Sequence, residues 1–186
     1  SRPRAVLRDH KHSTRLQEHS WCSEESLTVR ATTDLYDDFE DSCQTCSLQF
    51  RDFGARKRFH GPVRTVECFE DNVLFRQLLG EPGNGAVVVV DGQGSTARAL
   101  MGDMLAARGS ANGWAGVIIN GAIRDSAEIA DIEIGVKALG VNPAKSAKQG
   151  AGQVDVPLEF GGVIFRPGEW VYCDEDGVLV SPNEIR

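Results

Sequence analysis

The sequence predicts a single domain of the α/β class, with α+β as the alternative. Three observations lead there. The chain has 186 residues with 41% hydrophobic and 25% charged side chains, enough for one ordinary core without disulfides or metals. Two β-branched runs, Ala86–Val90 and Gly116–Asn120, have the continuous apolar character of strands buried on both faces. Short stripes at helical spacing fall between such runs, so helices and strands are mixed along the chain.

The elements follow in order. Residues 1–30 are polar with mixed charge and contain His10, His12 and His19, whose spacing suits no metal site. They read as an extension outside the fold, disordered or not native to the domain, and residues 31–186 as the domain. Thr32 to Asp37 predicts a short helix capped by a hydroxyl or Asp, with acids in its first turn. Phe59 to Cys68 alternates and predicts a strand. Val73, Leu74, Leu78 and Leu79 make a helical stripe over Asn72–Leu79, and Glu70 and Asp71 stand where they could cap it.

Between Ser95 and Ala111 two readings compete. Ala97, Leu100, Met101, Met104 and Leu105 would fit one long helix, but Gly102 interrupts it, at about 1 kcal/mol relative to Ala. The preferred reading is an extended segment through Leu100 and a new helix opening at Gly102, with Asp103 in its first turn and Gly113 ending it. The last third predicts a strand or pair over Ile132–Val141 and a flexible loop over Lys145–Gly152. Strands are then predicted at Asp155–Phe160, Val163–Phe165, Trp170–Cys173 and Gly177–Val180. The last two are joined by an acidic turn, Asp174-Glu175-Asp176-Gly177.

Composition narrows function. A net charge of −7 lacks the basic footprint of a nucleic-acid surface, so no direct nucleic-acid binding is expected. No apolar run is long enough to span a membrane, and the N-terminus lacks the apolar core of a secretory signal. Five cysteines cannot all pair within one chain, which fits reduced thiols and a cytoplasmic location. Cys43-Gln44-Thr45-Cys46 has no second local ligand pair for zinc and reads as two incidental thiols.

Two motifs carry chemistry. Asp91-Gly92-Gln93-Gly94-Ser95-Thr96-Ala97 after a strand fits the loose dinucleotide fingerprint and the first motif of S-adenosylmethionine methyltransferases. Both need a helix packed behind the loop. Gly102 breaks that helix, and no ribose-binding acid follows about 20 residues on, so the loop reads as a turn that permits close backbone approach. Gly121-Ala122-Ile123-Arg124-Asp125 is the stronger signal. It ends a buried strand by presenting a guanidinium, which grips carboxylates bidentately, beside a hard oxygen ligand suited to Mg²⁺ or Mn²⁺. The helix opening at Gly102-Asp103-Met104-Leu105 offers unpaired amides and a positive dipole end, a seat for an anion. Together they suggest a site for a small 2-oxo acid.

From about Thr33 to Pro182 the sequence resembles the RraA-like family, which includes the regulator of ribonuclease E activity A and the 4-hydroxy-4-methyl-2-oxoglutarate aldolases. The stretches that carry the resemblance include Leu48–Gly54, Cys68–Asn72, Val90–Ser95, Gly102–Ala106, Gly121–Asp125, Phe160–Val163 and Pro167–Glu169. It implies a swivelling β/β/α fold with mixed sheets, and a homotrimer, sometimes doubled to a hexamer, with sites between subunits. It implies that Gly102, Asp103, Met104 and Leu105 bind substrate through their amides, that Arg124 binds substrate and acts in catalysis, and that Asp125 anchors the divalent metal. Asp103 is expected to position a water for proton transfer. The implied activity is metal-dependent aldol cleavage to pyruvate, with oxaloacetate decarboxylation as a side reaction. The alternative is inhibition of a ribonuclease E-type partner by protein–protein binding.

Overall fold

The computed structural model describes residues 29–186. The extension expected at residues 1–30 lies, up to residue 28, outside the described residues. Chain order runs α1 (Thr32–Phe39), a 3₁₀ turn (Glu40–Ser42), β1 (Gln44–Thr45), β2 (Arg51–Asp52), β3 (Phe59–Glu67), α2 (Val73–Leu78) and β4 (Val87–Asp91). It continues with β5 (Ala99–Met101), α3 (Asp103–Ala111), β6 (Gly116–Ile123), α4 (Ser126–Ile129) and β7 (Gly135–Val141). It ends with β8 (Gln153–Val154), β9 (Leu158–Phe160), β10 (Val163–Phe165), β11 (Trp170–Asp174) and β12 (Gly177–Ser181). Among the described residues no helix is long and apolar enough to cross a membrane.

The strands build one mixed sheet in the order β1-β12-β11-β3-β4-β6-β7-β2, with β5 and β8 added beside β6 and β3, and β9 and β10 form a separate hairpin. Its centre is parallel, β3 to β4 to β6 to β7. Its flanks are antiparallel, through β11, β12, β1 and β2.

Alternation along the central strands divides the core in two. Val88, Val90, Val117 and Ile119 pack with Phe75, Leu79 and Ala106 of the helical layer. Val87, Val89 and Ile118 pack on the other face with Phe165, Val171 and Val180. A strand buried on both faces must be apolar at every position, hence the unbroken valine run. The layers are therefore helix, sheet and β-hairpin, the β/β/α arrangement expected.

Several local expectations need adjustment. The cap of α1 is not its own hydroxyl or Asp: Ala31 holds the N-cap position, and the carboxylate of Asp174, in the distant acidic turn, takes the Thr32 amide and hydroxyl, both at 2.7 Å. The strand expected over Asp155–Phe160 is reduced to β9, because Asp155 sits at φ 57° and accepts two bonds from Arg64 at 2.7 and 2.8 Å. The Lys145–Gly152 loop, expected to be flexible, is tied down. Asp71, 3% exposed, accepts the amides of Gln149 (2.6 Å) and Gly150 (3.0 Å), and Ala147 N–H donates to Glu70 O at 2.7 Å. Asp71 also takes the Val73 N–H at the start of α2 (3.0 Å), the expected use of an acid there.

The break at Gly102 is where it was read: β5 ends at Met101, α3 opens at Asp103, and Gly113 follows at φ 79°.

Candidate active site

The site exists because β6 changes neighbours. Its first five residues, Gly116 to Asn120, pair with β4. Beyond Asn120, β5 takes that place, with Ala99 opposite Ala122 and Met101 opposite Ile123. Arg124 N–H closes the pairing on Met101 O at 2.9 Å. The predicted site residues of the two motifs each begin one residue past the Met101–Ile123 pair, so Gly102–Leu105 and Arg124–Asp125 meet at one edge of the sheet although about twenty positions separate them.

The contact is close. A Cβ on Gly102 would lie 2.5 Å from Asp125 Oδ2 and 3.4 Å from Arg124 Nε. The Gly102 backbone is extended at φ −123°, so glycine serves here for space rather than for conformation.

Asp125 is unusual in two respects. Its backbone is left-handed (φ 54°, ψ 42°), a region that Asp visits more readily than most residues. It also occupies the N-cap position of α4 without capping it. Asp is among the best N-caps, normally bonded to the second or third helical amide. Here the carboxylate turns away from α4, and Oδ2 lies 3.2 Å from Arg124 Nε and 3.4 Å from the Asp103 amide. Side chains 124 and 125 are each 31% exposed, so their pairing is open to solvent.

The opening of α3 supplies donors. Its first helical bond is Ala106 N–H to Gly102 O (3.1 Å), so the amides of Asp103, Met104 and Leu105 lie upstream of the ladder. The Asp103 amide points to Asp125, and the Met104 amide donates to Oδ1 of Asp103 at 2.7 Å. Two of the three amides in the anion seat read from the sequence are thus already taken by carboxylates of the protein. An incoming acid would take their place at these donors.

A cleft of about 480 Å³ encloses this edge and is lined by all six predicted residues: Gly102, Asp103, Met104, Leu105, Arg124 and Asp125. The structure adds Asn72 and Arg76 around α2, Arg108 of α3, and Lys145, Ser146 and Lys148 of the pinned loop. Five cationic side chains face two carboxylates, inside a protein that is acidic overall. Burial, and then the neighbouring Arg76, lower the Lys148 pKa from the ordinary lysine value. The lysines carried a weak sequence signal, a Lys-x-x-Lys pair in a loop. Arg76 and Arg108 carried none, since a helix-end cation is ordinary.

No group of three or more His, Cys, Asp or Glu side chains is gathered to hold a metal among the described residues. Cys43 and Cys46 are buried and unpaired, and burial raises the Cys46 pKa. The glycine loop after β4 leads into β5, not into a helix, so the dinucleotide and methyltransferase readings lose their structural requirement.

Comparison with known proteins agrees with this architecture. The profile of the RraA-like family, described as Aldolase/RraA, matches residues 32–180. A protein of Alkalilimnicola ehrlichii named "Putative 4-hydroxy-4-methyl-2-oxoglutarate aldolase" is 56% identical over 154 residues, covering 83% of this chain and 96% of that one. The RNA-processing inhibitor RraA from Thermus thermophilis superposes with a TM-score of 0.82 at 46% identity, covering 84% of this chain and 95% of that chain. A Geobacillus kaustophilus structure described as an S-adenosylmethionine:2-dimethylmenaquinone methyltransferase gives 0.83 at 51% identity, covering 84% and 97%. With a profile spanning most of its length and relatives this similar, the chain belongs to the RraA-like family.

Proposed function

We propose that the protein is a divalent-metal-dependent lyase that cleaves 4-hydroxy-2-oxo diacids of the 4-hydroxy-4-methyl-2-oxoglutarate type to pyruvate, with oxaloacetate decarboxylation as a side activity. The observation that carries the reading is the Asp125 carboxylate, withdrawn from its capping position and aimed into a cationic cleft beside Arg124. The name of the Alkalilimnicola ehrlichii relative supports the same reaction class.

The residues fit Mg²⁺ or Mn²⁺ in one particular way. Mg²⁺ keeps several waters and commonly binds through one or two carboxylates plus substrate, rather than in an all-protein cage. One partly exposed carboxylate, outside any cluster of three or more such ligands among the described residues, matches that habit and does not match a closed zinc site. Asp125 would hold the ion, which when bound would polarise the 2-oxo group as a Lewis acid.

The remaining roles belong to the chain. Arg124 and the amides of Asp103 to Leu105 bind the 2-oxo carboxylate. Cleavage of C3–C4 leaves its electron pair on C3, delocalised toward the 2-oxo oxygen, where Arg124 stabilises the developing charge. The 4-hydroxyl proton passes to a water oriented by Asp103, and the C4 carbonyl departs as the second product. A proton returned from that water to C3 completes pyruvate. We also propose a homotrimer whose neighbouring subunit closes the cleft. Met104, 82% exposed, lines the cleft, and Val141, 46% exposed, lies beside Arg124 and Asp125.

The test is pyruvate release from 4-hydroxy-4-methyl-2-oxoglutarate and from oxaloacetate with Mg²⁺ or Mn²⁺, repeated with EDTA. Asp125→Ala is expected to lose at least about 100-fold in rate. An unchanged rate removes the proposal.

A second reading, inhibition of a ribonuclease E-type enzyme by protein contact, draws on the similarity to the Thermus RNA-processing inhibitor and on the net charge of −7. An acidic surface could occupy basic RNA-binding segments. Pull-down with the endonuclease at low and high salt tests it: salt-sensitive capture supports it, and no capture at low salt removes it.

A further inference from the structure

We infer that the cleft contains a second anion subsite, formed by Arg76, Arg108 and Lys148, that takes the distal carboxylate of a 2-oxo diacid. The choice of ligand rests on the aldolase reading; the subsite itself rests on charge and geometry.

The described residues include fifteen lysines and arginines. Eight stand within salt-bridge distance of a carboxylate. Three more have another use: Arg51 lies over the Phe53 ring at 4.9 Å, Arg56 donates to Ala115 O at 3.2 Å, and Lys57 donates to Gly54 O at 2.9 Å. The four that remain are Arg76, Arg108, Lys145 and Lys148, and all four line the same cleft. Of these, only Lys148 has a side-chain partner among the described residues, the neutral Oδ1 of Asn72. Scattered surface cations would not gather in this way, and like charges drawn together raise the energy of the site until an anion enters it.

The ordinary explanation for two of them is helix-end placement. Arg76 and Arg108 lie in the last turns of α2 and α3, where the dipole favours cations. That accounts for each separately. It does not account for their convergence with a lysine from a third element.

The position within the cleft distinguishes this group from Arg124 and Asp125. An adjoining cavity of about 440 Å³ is lined by Arg76, Arg108 and Lys148 but not by Arg124 or Asp125. A different one beside Val141 is lined by Arg124 and Asp125 but not by those three. Each group therefore also lines an adjoining cavity that the other does not. A ligand whose 2-oxo carboxylate lies at Arg124 would reach the second group with a carboxylate at its other end.

Arg108 is also seated. A Cβ on Gly80 would fall 2.1 Å from its Nη2 and 2.8 Å from its Cζ, so the absent side chain at 80 gives the guanidinium its resting place.

The experiment is calorimetric titration of the full chain, with Mg²⁺ present, using 2-oxoglutarate and pyruvate. 2-Oxoglutarate has a C5 carboxylate but no 4-hydroxyl, so it binds without being cleaved, and the result does not depend on turnover. The wild-type protein is expected to bind 2-oxoglutarate at least about tenfold tighter than pyruvate, a difference of ~1.4 kcal/mol. In Arg76→Gln/Arg108→Gln the ratio should fall to within about twofold of unity, with pyruvate affinity unchanged. Gly80→Ala, which displaces Arg108 without altering its charge, should lower the ratio partway. The proposal is overturned by equal affinity in the wild-type protein, by a ratio that survives in the double variant, or by both acids weakening in parallel. Failure of the aldolase reading looks different: no pyruvate is released from any hydroxy-oxo acid, whatever this ratio.

Discussion

Gly102→Ala probes the site without removing any functional group. The added methyl would lie 2.5 Å from Asp125 Oδ2, about 1 Å inside ordinary van der Waals contact. Something must shift, and the Asp125 side chain, 31% exposed, can turn toward solvent more easily than the buried end of β6 can move. The backbone at 102 suits alanine, so the fold should survive. Replacing glycine by alanine at a helix N-cap costs about 0.5–1 kcal/mol, or roughly 1–4 °C in Tm for a chain of this size. Displacing a reacting group by about 1 Å can cost on the order of 100-fold in rate. We expect kcat/KM for pyruvate release to fall about that much, with most of the Tm retained. The assay is coupled pyruvate detection at saturating Mg²⁺ beside a thermal melt. A kcat/KM within about threefold of wild type would refute the argument that the Gly102–Asp125 contact sets the position of the carboxylate.

Four further outcomes follow from other contacts in the structure. Asp174→Ala removes the acceptor of the Thr32 amide and hydroxyl and should cost roughly 3 kcal/mol, read as a lower midpoint in urea. Burial by itself would raise the Asp174 and Asp71 pKa values, but the N–H groups around them outweigh it and hold both below the ordinary value. Depressed carboxyls stabilise the fold above their unfolded value, so stability should decline as pH falls below about 4, and Asp174→Ala should flatten that decline. Asp71→Asn, which turns one acceptor into a donor facing the loop amides, should speed hydrogen exchange at Gln149 and Gly150 and raise KM more than it lowers kcat. Gly135→Ala would place a methyl 2.1 Å from the buried Phe59 ring and should cost about 1–3 kcal/mol through overpacking, visible as a lower Tm.

What could be read from the sequence was what depends on local chemistry. The valine run and β3 are visible because a strand buried on one or both faces leaves a pattern of apolar positions. The break before α3 is visible because glycine is costly inside a helix. The Arg124–Asp125 pair is visible because charged residues seldom end a buried strand without a reason. What remained hidden depends on tertiary proximity. β6 runs on through Gly121 to Ile123 because β5 arrives to pair with it. Strands β1 and β2 have two residues each, too short for any periodicity. The cap of α1 comes from Asp174, 142 positions away. Arg76, Arg108 and Lys148 lie on two helices and a loop, and only the folded chain brings them to one cleft.

The glycine loop that imitates a nucleotide fingerprint has its own part in this arrangement. After Asp91 the chain must leave β6 and return as β5 within a few residues. The amides of Gly92 and Gly94 both donate to Asn120 O, at 3.0 and 3.1 Å, which fastens the departing loop to the last residue of β6 that β4 covers. A side chain at 92 would meet that oxygen at 2.8 Å and Leu100 at 2.7 Å, so the loop can lie this close only with glycine there. Asp91 takes the Asn120 amide (2.9 Å) and the Gln93 N–H (2.8 Å), so the aspartate that imitates a cofactor-binding acid instead holds the turn. Had this loop opened a helix, as the fingerprint demands, β5 could not have reached β6. Gly102 would then not lie against Asp125. In this fold a helix behind the glycine loop and the meeting of Gly102 with Asp125 at the end of β6 exclude one another, and β5 pairs with β6 where such a helix would have to leave.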